Sequence, residues 1–360
     1  MPFTVPAPDP GTLELKARVE AALEAALDAL RERVGNEAPE AVPLVDELAG
    51  SVRAGGKRIR PILAIWGYRA GGGRDEGSID RAAAAIELVH TFAILQDDLM
   101  DGARLRRGRP ALHVRLAAPH GDEELGAAEA LLVADLAMIA ADGLFSESGF
   151  PAERIVAAWT PFGRMRIDAV AGQYLDLLGA AGGVSDEEAA LRVGTLKSGR
   201  YTVEGPLLVG AALAGGDRSV EAALAAFGKS AGRAFQVRDD VLAVFGNPAE
   251  TGKDGASDLR HGKPTVLLAK TLQRTSEAER RFLDARLGRA NLTDGELEQV
   301  RQVILASGAL QETIQLITGL LVEAKRAVDV LGIPGAARDG LRSLADQLML
   351  RPEGDGPFGH

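Results

Sequence analysis

The stretch RAAAAIELVHTFAILQDDLMD, Arg81 to Asp101, decides how the rest of the chain is read. Its alanines and leucines carry no glycine or proline, and Gly102 follows, so it predicts one helix with a stop after Asp101. His90, Ala93, Asp97 and Asp101 recur at three- and four-residue spacing and share a face, with Asp98 about 100° around the axis from Asp97. Three carboxylates in a last helical turn are electrostatically unfavourable, because the helix dipole is negative there and the charges repel one another. A hard divalent cation reverses that sign, and Mg²⁺ takes one or two carboxylates together with substrate phosphates and water. The alternative for DDLMD is a solvated acidic helix end.

Downstream of this helix, GARLRRGRPALH holds Arg104, Arg106, Arg107 and Arg109, and upstream GGKRIRP holds Lys57, Arg58 and Arg60. Arginine forks suit phosphate oxygens and lysine supplies a point charge. In a chain of net charge −10, two such clusters around an acidic helix end suggest an anion site beside a metal site. Solvated surface charge remains the simpler reading for Arg104 and Arg109. Much later, FQVRDDVLAVFG carries Asp239 and Asp240, and GKDGASDLRHGKPT brings Lys253, Asp258, Arg260 and Lys263. An acidic pair, a glycine-broken loop and then lysines repeats the first pattern, as two metal-binding walls facing one diphosphate would.

The remaining chain reads as helix. LELKARVEAALEAALDALRERV, Leu13 to Val34, repeats apolar residues every three or four positions with charges between. Ser185 with Glu188, and Thr293 with Glu296, have capping-box spacing. Aromatic residues make up only 4%, and no alternating β-branched run closes on a tight turn, so strands have little support. The 43 glycines are read as loop formers and sites of close helix packing. A length of 360 residues gives a prior of about two domains. The breakers near Gly71, Pro151, Gly182 and Gly215 are too short for interdomain linkers. The expectation is therefore one all-α domain over residues 11–350, with flexible tails at 1–10 and 351–360.

Composition narrows the function. Zero cysteines exclude disulfides, thiolate catalysis and cysteine-bound metals, and five scattered histidines do not favour an all-histidine zinc site. The acidic balance argues against nucleic-acid binding, which draws on a basic surface. PLLVGAALAGG, Pro206 to Gly216, is the nearest approach to a membrane span and falls short of the ~18–20 residues required. MPFTVPAPDPG has neither the basic nor the apolar region of a signal peptide, so the cytoplasm is expected.

Taken together, GGKRIRP, ELVHTFAILQDDLMD, RRGRPALH, AGQYLDL, LKSGRYT, FQVRDD and GASDLRHGKPT resemble, in order from Gly55 to Thr265, the motifs of the trans-isoprenyl diphosphate synthase family. The resemblance implies an all-α single bundle of long helices around a central cavity, usually a homodimer. It implies a Mg²⁺-dependent enzyme, with about three ions and Mn²⁺ as an alternative. The reaction would condense isopentenyl diphosphate with an allylic diphosphate (dimethylallyl, geranyl or farnesyl). Carried over residue by residue, it implies that Asp97, Asp101 and Asp239 bind metal, with Asp98 assisting through water. Lys57, Arg60, His90 and Arg107 would hold isopentenyl diphosphate. Arg106, Lys197, Ser198, Gln236, Lys253 and Lys263 would hold the allylic diphosphate, Arg106, Lys197 and Lys253 also serving catalysis. Gln173 and Asp176 would serve either active-site support or helix packing. No covalent nucleophile is needed, in keeping with the absence of cysteine, of GxSxG and of a P-loop.

The chain departs from the family where a second-motif aspartate gives way to Ala243. For product length, the resemblance makes Phe92 and Ala93 the floor under the growing tail, about 7.5 Å and 6 Å along the helix from Asp97. A small residue followed upstream by one aromatic resembles geranylgeranyl diphosphate synthases more than farnesyl synthases. Farnesyl or longer-chain products, a class I terpene cyclase and a non-catalytic partner subunit are the alternatives.

Overall fold

The computed structural model describes residues 3–4, 7–106, 108–182, 186–246, 257–289, 291–329 and 332–352. Helices dominate, as the composition predicts. In chain order they begin α1 (Pro10–Glu37), α2 (Val42–Arg53), α3 (Ile59–Ala70), α4 (Glu76–Met100), α5 (Leu112–Ala117), α6 (Glu123–Ser146), α7 (Ala152–Gly182) and α8 (Glu187–Gly194). A π-helix (Thr195–Glu204) leads into α9 (Gly205–Ala214) and α10 (Arg218–Phe245). Further helices include Val266–Arg274, Asp294–Ala306, Ala309–Ala327 and Gly335–Gln347.

Helix starts are set largely by aspartate. Asp9, Asp75, Asp122, Asp186 and Asp217 each accept a hydrogen bond from a first-turn N–H, of α1, α4, α6, α8 and α10 respectively. Such caps are worth about 1 kcal/mol apiece. The capping box predicted at Thr293 and Glu296 is present. The one read at Ser185 is not the cap of α8: Asp186 has that role, and Ser185 lies outside the described residues. Gly102, in the left-handed region at φ 59°, follows α4 as expected.

Backbone contacts divide the chain into two compact units. One comprises Pro8–Trp159 and Val209–Gly216. Within it α4 packs against α6 and also meets α3 and α1. Ala82, Ala83, Ala84 and Ala85 of α4, and Ala130, Ala134, Ala137 and Ala141 of α6, are buried, and their short side chains let helix axes approach closely.

The other unit comprises Met1–Ala7, Thr160–Leu208 and Asp217–His360. Here α10 packs against Ala309–Ala327 and the π-helix. Two of its glycines are required by close approach: a Cβ on Gly172 would fall 2.1 Å from the Lys197 nitrogen, and one on Gly232 would fall 2.5 Å from the Gly199 oxygen.

Two small ladders, which composition gave no reason to expect, interrupt the helices. β1 (Phe3–Thr4) pairs antiparallel with β4 (Arg351–Pro352), and β2 (Leu105–Arg106) pairs with β3 (Arg109–Pro110). No single helix among the described residues is long and apolar enough to cross a membrane.

Candidate active site

In the first unit α4 carries the acidic motif at its C-terminal end. Asp97 and Asp101 are partly exposed one turn apart, and Asp98 is buried. Arg106, in the β2–β3 hairpin, folds back onto this end. Its Nε donates to Asp98 Oδ1 at 2.8 Å, its Nη2 also bonds Asp98 Oδ1, and Nη2 lies 3.4 Å from Asp97 Oδ2. Burial pushes the Asp98 carboxyl above the usual carboxylate range, and the attraction of Arg106 offsets only part of that. Burial alone would lower the Arg106 pKa, yet Asp98 and Asp97 together hold it above its ordinary value. One guanidinium thus neutralises the buried member of the acidic trio.

The basic loop before α3 splits by direction. Lys57 is exposed, Arg60 half-buried, and Arg58 turns inward onto Glu87 of α4. Glu87 and His90 lie three residues apart on the same helix, so the loop is fastened one turn before His90. Phe92 and Ala93 are partly exposed on α4, between buried Thr91 and Leu95.

In the second unit the π-helix carries Lys197 and Ser198, and α7 carries Gln173 and Asp176. Asp176 gathers two lysines: its Oδ2 lies 2.6 Å from Lys197 Nζ and 3.9 Å from Lys263 Nζ. On α10, Gln236 Nε2 donates to Asp240 Oδ1 at 2.7 Å, and buried Arg238 places Nη2 3.3 Å from Asp239 Oδ1. Asp239 is partly exposed, whereas Ala243 is packed in the interior. Arg107 and Lys253 lie outside the described residues.

Sequence reading missed the Arg58–Glu87 pair and the inward turn of Arg238. A carboxylate at position 87, within an otherwise apolar helical run and one turn before His90, was the available signal for the first. Nothing in the local pattern marked the second.

Among the described residues no three acidic or histidine groups come together as a ready-made metal cage. Asp97 and Asp101 nonetheless fit Mg²⁺ as donors. They are hard oxygen ligands on one face, and that ion completes its octahedron with phosphate oxygens and waters.

The family model of polyprenyl synthetases matches residues 43–304. The chain belongs to the polyprenyl synthetase family. Among curated members, it is 34% identical over 273 residues to the geranylfarnesyl diphosphate synthase of Aeropyrum pernix, covering 74% of this chain and 81% of that one. It is 29% identical over 347 residues to the short chain isoprenyl diphosphate synthase of Methanothermobacter thermautotrophicus, covering 91% and 96%. Among solved structures, the geranylgeranyl pyrophosphate synthase of Corynebacterium glutamicum, complexed with isoprenyl diphosphate and magnesium, superposes with a TM-score of 0.89 at 33% identity, covering 93% and 98%. Residues 43–304 take in the acidic end of α4, the π-helix and α10 described above.

Proposed function

We propose that this polyprenyl synthetase is a Mg²⁺-dependent prenyltransferase acting in the cytoplasm. It joins isopentenyl diphosphate head-to-tail to dimethylallyl, geranyl or farnesyl diphosphate and releases mainly geranylgeranyl diphosphate. Residues 11–350 act as one synthase domain. The observation that carries the reading is the end of α4: Asp97 and Asp101 one turn apart, with Asp98 already neutralised by Arg106. On this reading Asp97 and Asp101, both partly exposed, turn to metal when substrate binds, and Arg106 stands beside them where a phosphate would sit.

In this reading Asp97, Asp101 and Asp239 hold about three Mg²⁺, or Mn²⁺, together with the substrate's own oxygens. The ions supply Lewis-acid stabilisation of the departing diphosphate. Arg106, Lys197, Lys253 and Lys263 bind the allylic diphosphate and stabilise its growing charge, with Ser198 and Gln236 as hydrogen-bonding groups. Lys57, Arg60, His90 and Arg107 orient isopentenyl diphosphate so that its double bond meets the allylic cation, and a proton then leaves to the released pyrophosphate. Phe92, with Ala93 beside it, limits the tail.

A homodimer belongs to the same proposal. The buried face of α6 runs through Ala130, Ala134 and Ala137, yet its far side exposes Leu125, Leu132 and Ile139, the last at 68%. On α7, Val156, Ile167, Val170 and Tyr174 are also exposed. A helix apolar on both sides is suited to burial in an assembly, and a second copy of this chain supplies it.

The test is a reaction of the purified protein with Mg²⁺, dimethylallyl diphosphate and labelled isopentenyl diphosphate, with products separated by chromatography. Geranylgeranyl diphosphate is expected as the main product, from a dimer by sedimentation. A cyclic hydrocarbon from geranylgeranyl diphosphate alone would make it a terpene cyclase. Turnover only with a second protein would make it a partner subunit.

A further inference from the structure

Lys57, Arg58 and Arg60 form one basic run in the sequence, but the middle residue points away from solvent. The Arg58 side chain is 5% exposed and that of Glu87 is 4% exposed. Arg58 Nη1 donates to Glu87 Oε1 at 2.7 Å, and Nη2 donates to the Val52 carbonyl, also at 2.7 Å. Its Nε lies 3.5 Å from Glu20 Oε1 on α1. This one guanidinium therefore connects α1, the end of α2, the start of α3 and the middle of α4.

Two features show that the arrangement is not optimised for stability alone. Arg58 sits at φ 51° and ψ 36°, and it is the one non-glycine with positive φ among the described residues. An L residue occupies that conformation at a cost and persists there only when its surroundings hold it. Glu87 Oε2 is buried with no hydrogen-bond partner among the described residues. Buried polar atoms are normally satisfied, and a buried ion pair can often be replaced by apolar residues without loss of stability. Strain and a half-satisfied carboxylate at the same contact are what a geometric requirement would leave behind.

That geometry concerns the diphosphate-binding groups. Lys57 and Arg60 flank Arg58 by one and two residues, and His90 lies on α4 one turn beyond Glu87. We infer that Arg58 and Glu87 are positioning residues for the isopentenyl diphosphate subsite. Their buried pair fixes the basic loop against α4, so that Lys57, Arg60 and His90 form a single anion site before substrate arrives. The inference rests on the substrate reading given above. Arg58 and Glu87 touch no substrate in this account; they act through their neighbours.

The experiment compares wild type with Glu87→Gln, Arg58→Lys and the double variant Arg58→Met/Glu87→Leu, each first shown to be folded by thermal unfolding. The double variant removes both charges together, so it keeps the comparison open where a single variant leaves a buried charge and fails to fold. Isopentenyl diphosphate is titrated calorimetrically in EDTA, and KM is measured separately for it and for geranyl diphosphate. Glu87→Gln and the double variant are expected to weaken isopentenyl diphosphate binding by about tenfold or more, the scale of a misplaced binding group. The geranyl diphosphate KM should stay within about twofold. Arg58→Lys, which keeps the charge but loses the fork, should fall between. Folded variants with wild-type affinity, or with both KM values raised together, would overturn the inference while leaving the substrate reading intact. A wild-type protein that binds no isopentenyl diphosphate would overturn both.

Discussion

Arg106 bonds Asp98 through Nε at 2.8 Å and reaches Asp97 Oδ2 at 3.4 Å, so one guanidinium spans two carboxylates of the first acidic motif. The three aspartates are thereby made unequal. Asp98 is buried and takes the closest contacts of Arg106, while Asp97, at longer range from the same arginine, and Asp101 are partly exposed at the helix end.

The inequality predicts different losses. Asp97→Ala removes charge compensation worth several kcal/mol for a departing diphosphate, so turnover should fall by about three orders of magnitude or more. Asp98→Asn removes a charge-assisted contact, worth about 1.5–3 kcal/mol, and should cost about ten- to a hundredfold. Single-turnover rates with saturating substrates measure both. Equal losses would remove the distinction.

Phe92 is partly exposed on α4, five residues before Asp97. Phe92→Ala should shift the products toward longer chains at little cost in total turnover, read by chromatography of the dephosphorylated alcohols. An unchanged distribution would exclude Phe92 as the floor.

Asp176 holds Lys197 and, at longer range, Lys263. Asp176→Asn keeps the shape and deletes the charge that gathers them. Losing a hydrogen bond to a charged group corresponds to about ten- to a hundredfold in kcat/KM for the allylic diphosphate. The KM for isopentenyl diphosphate should not change. Steady-state kinetics with each substrate varied in turn separates the two.

Asp75 caps α4, the helix that carries the first motif, by accepting from the Ser78 N–H at 3.1 Å. Hydrogen bonds from Ser78 hold its carboxyl below the usual range. A carboxyl lowered by folding stabilises above its unfolded pKa, near 3.9, and that contribution is lost as pH falls through the folded value. Asp75→Ala should therefore cost about 1 kcal/mol near neutral pH. The gap from wild type should narrow below about pH 4. Urea unfolding at both pH values checks the amount and the sign.

Much of this was readable from the sequence because helices impose a period. The spacing of His90, Asp97 and Asp101, the stop at Gly102 and the all-α class all follow from that rule. A basic run carries no such rule: charge alone could not tell that Arg58 turns inward while Lys57 faces water, since partners on α1 and α4 decide it. Nor could the acidic motif reveal that Arg106 claims Asp98. The aspartate caps went unread in favour of serine and threonine, and the ten-residue π-helix has no signature at a period of 3.6. In AGQYLDL the polar residues drew attention, whereas the glycine lies tight against the backbone of the π-helix.

That contact has a consequence for how the enzyme could be altered. The π-helix bearing Lys197 and Ser198 is gripped by Gly172 on one flank and by Gly232 on the other, with backbone directly against backbone. A single methyl at Gly172 would collide with the Lys197 backbone and one at Gly232 with that of Gly199, so either substitution would displace the helix that carries the lysine. New product lengths should arise on α4 around Phe92, where side chains can change size without moving a helix.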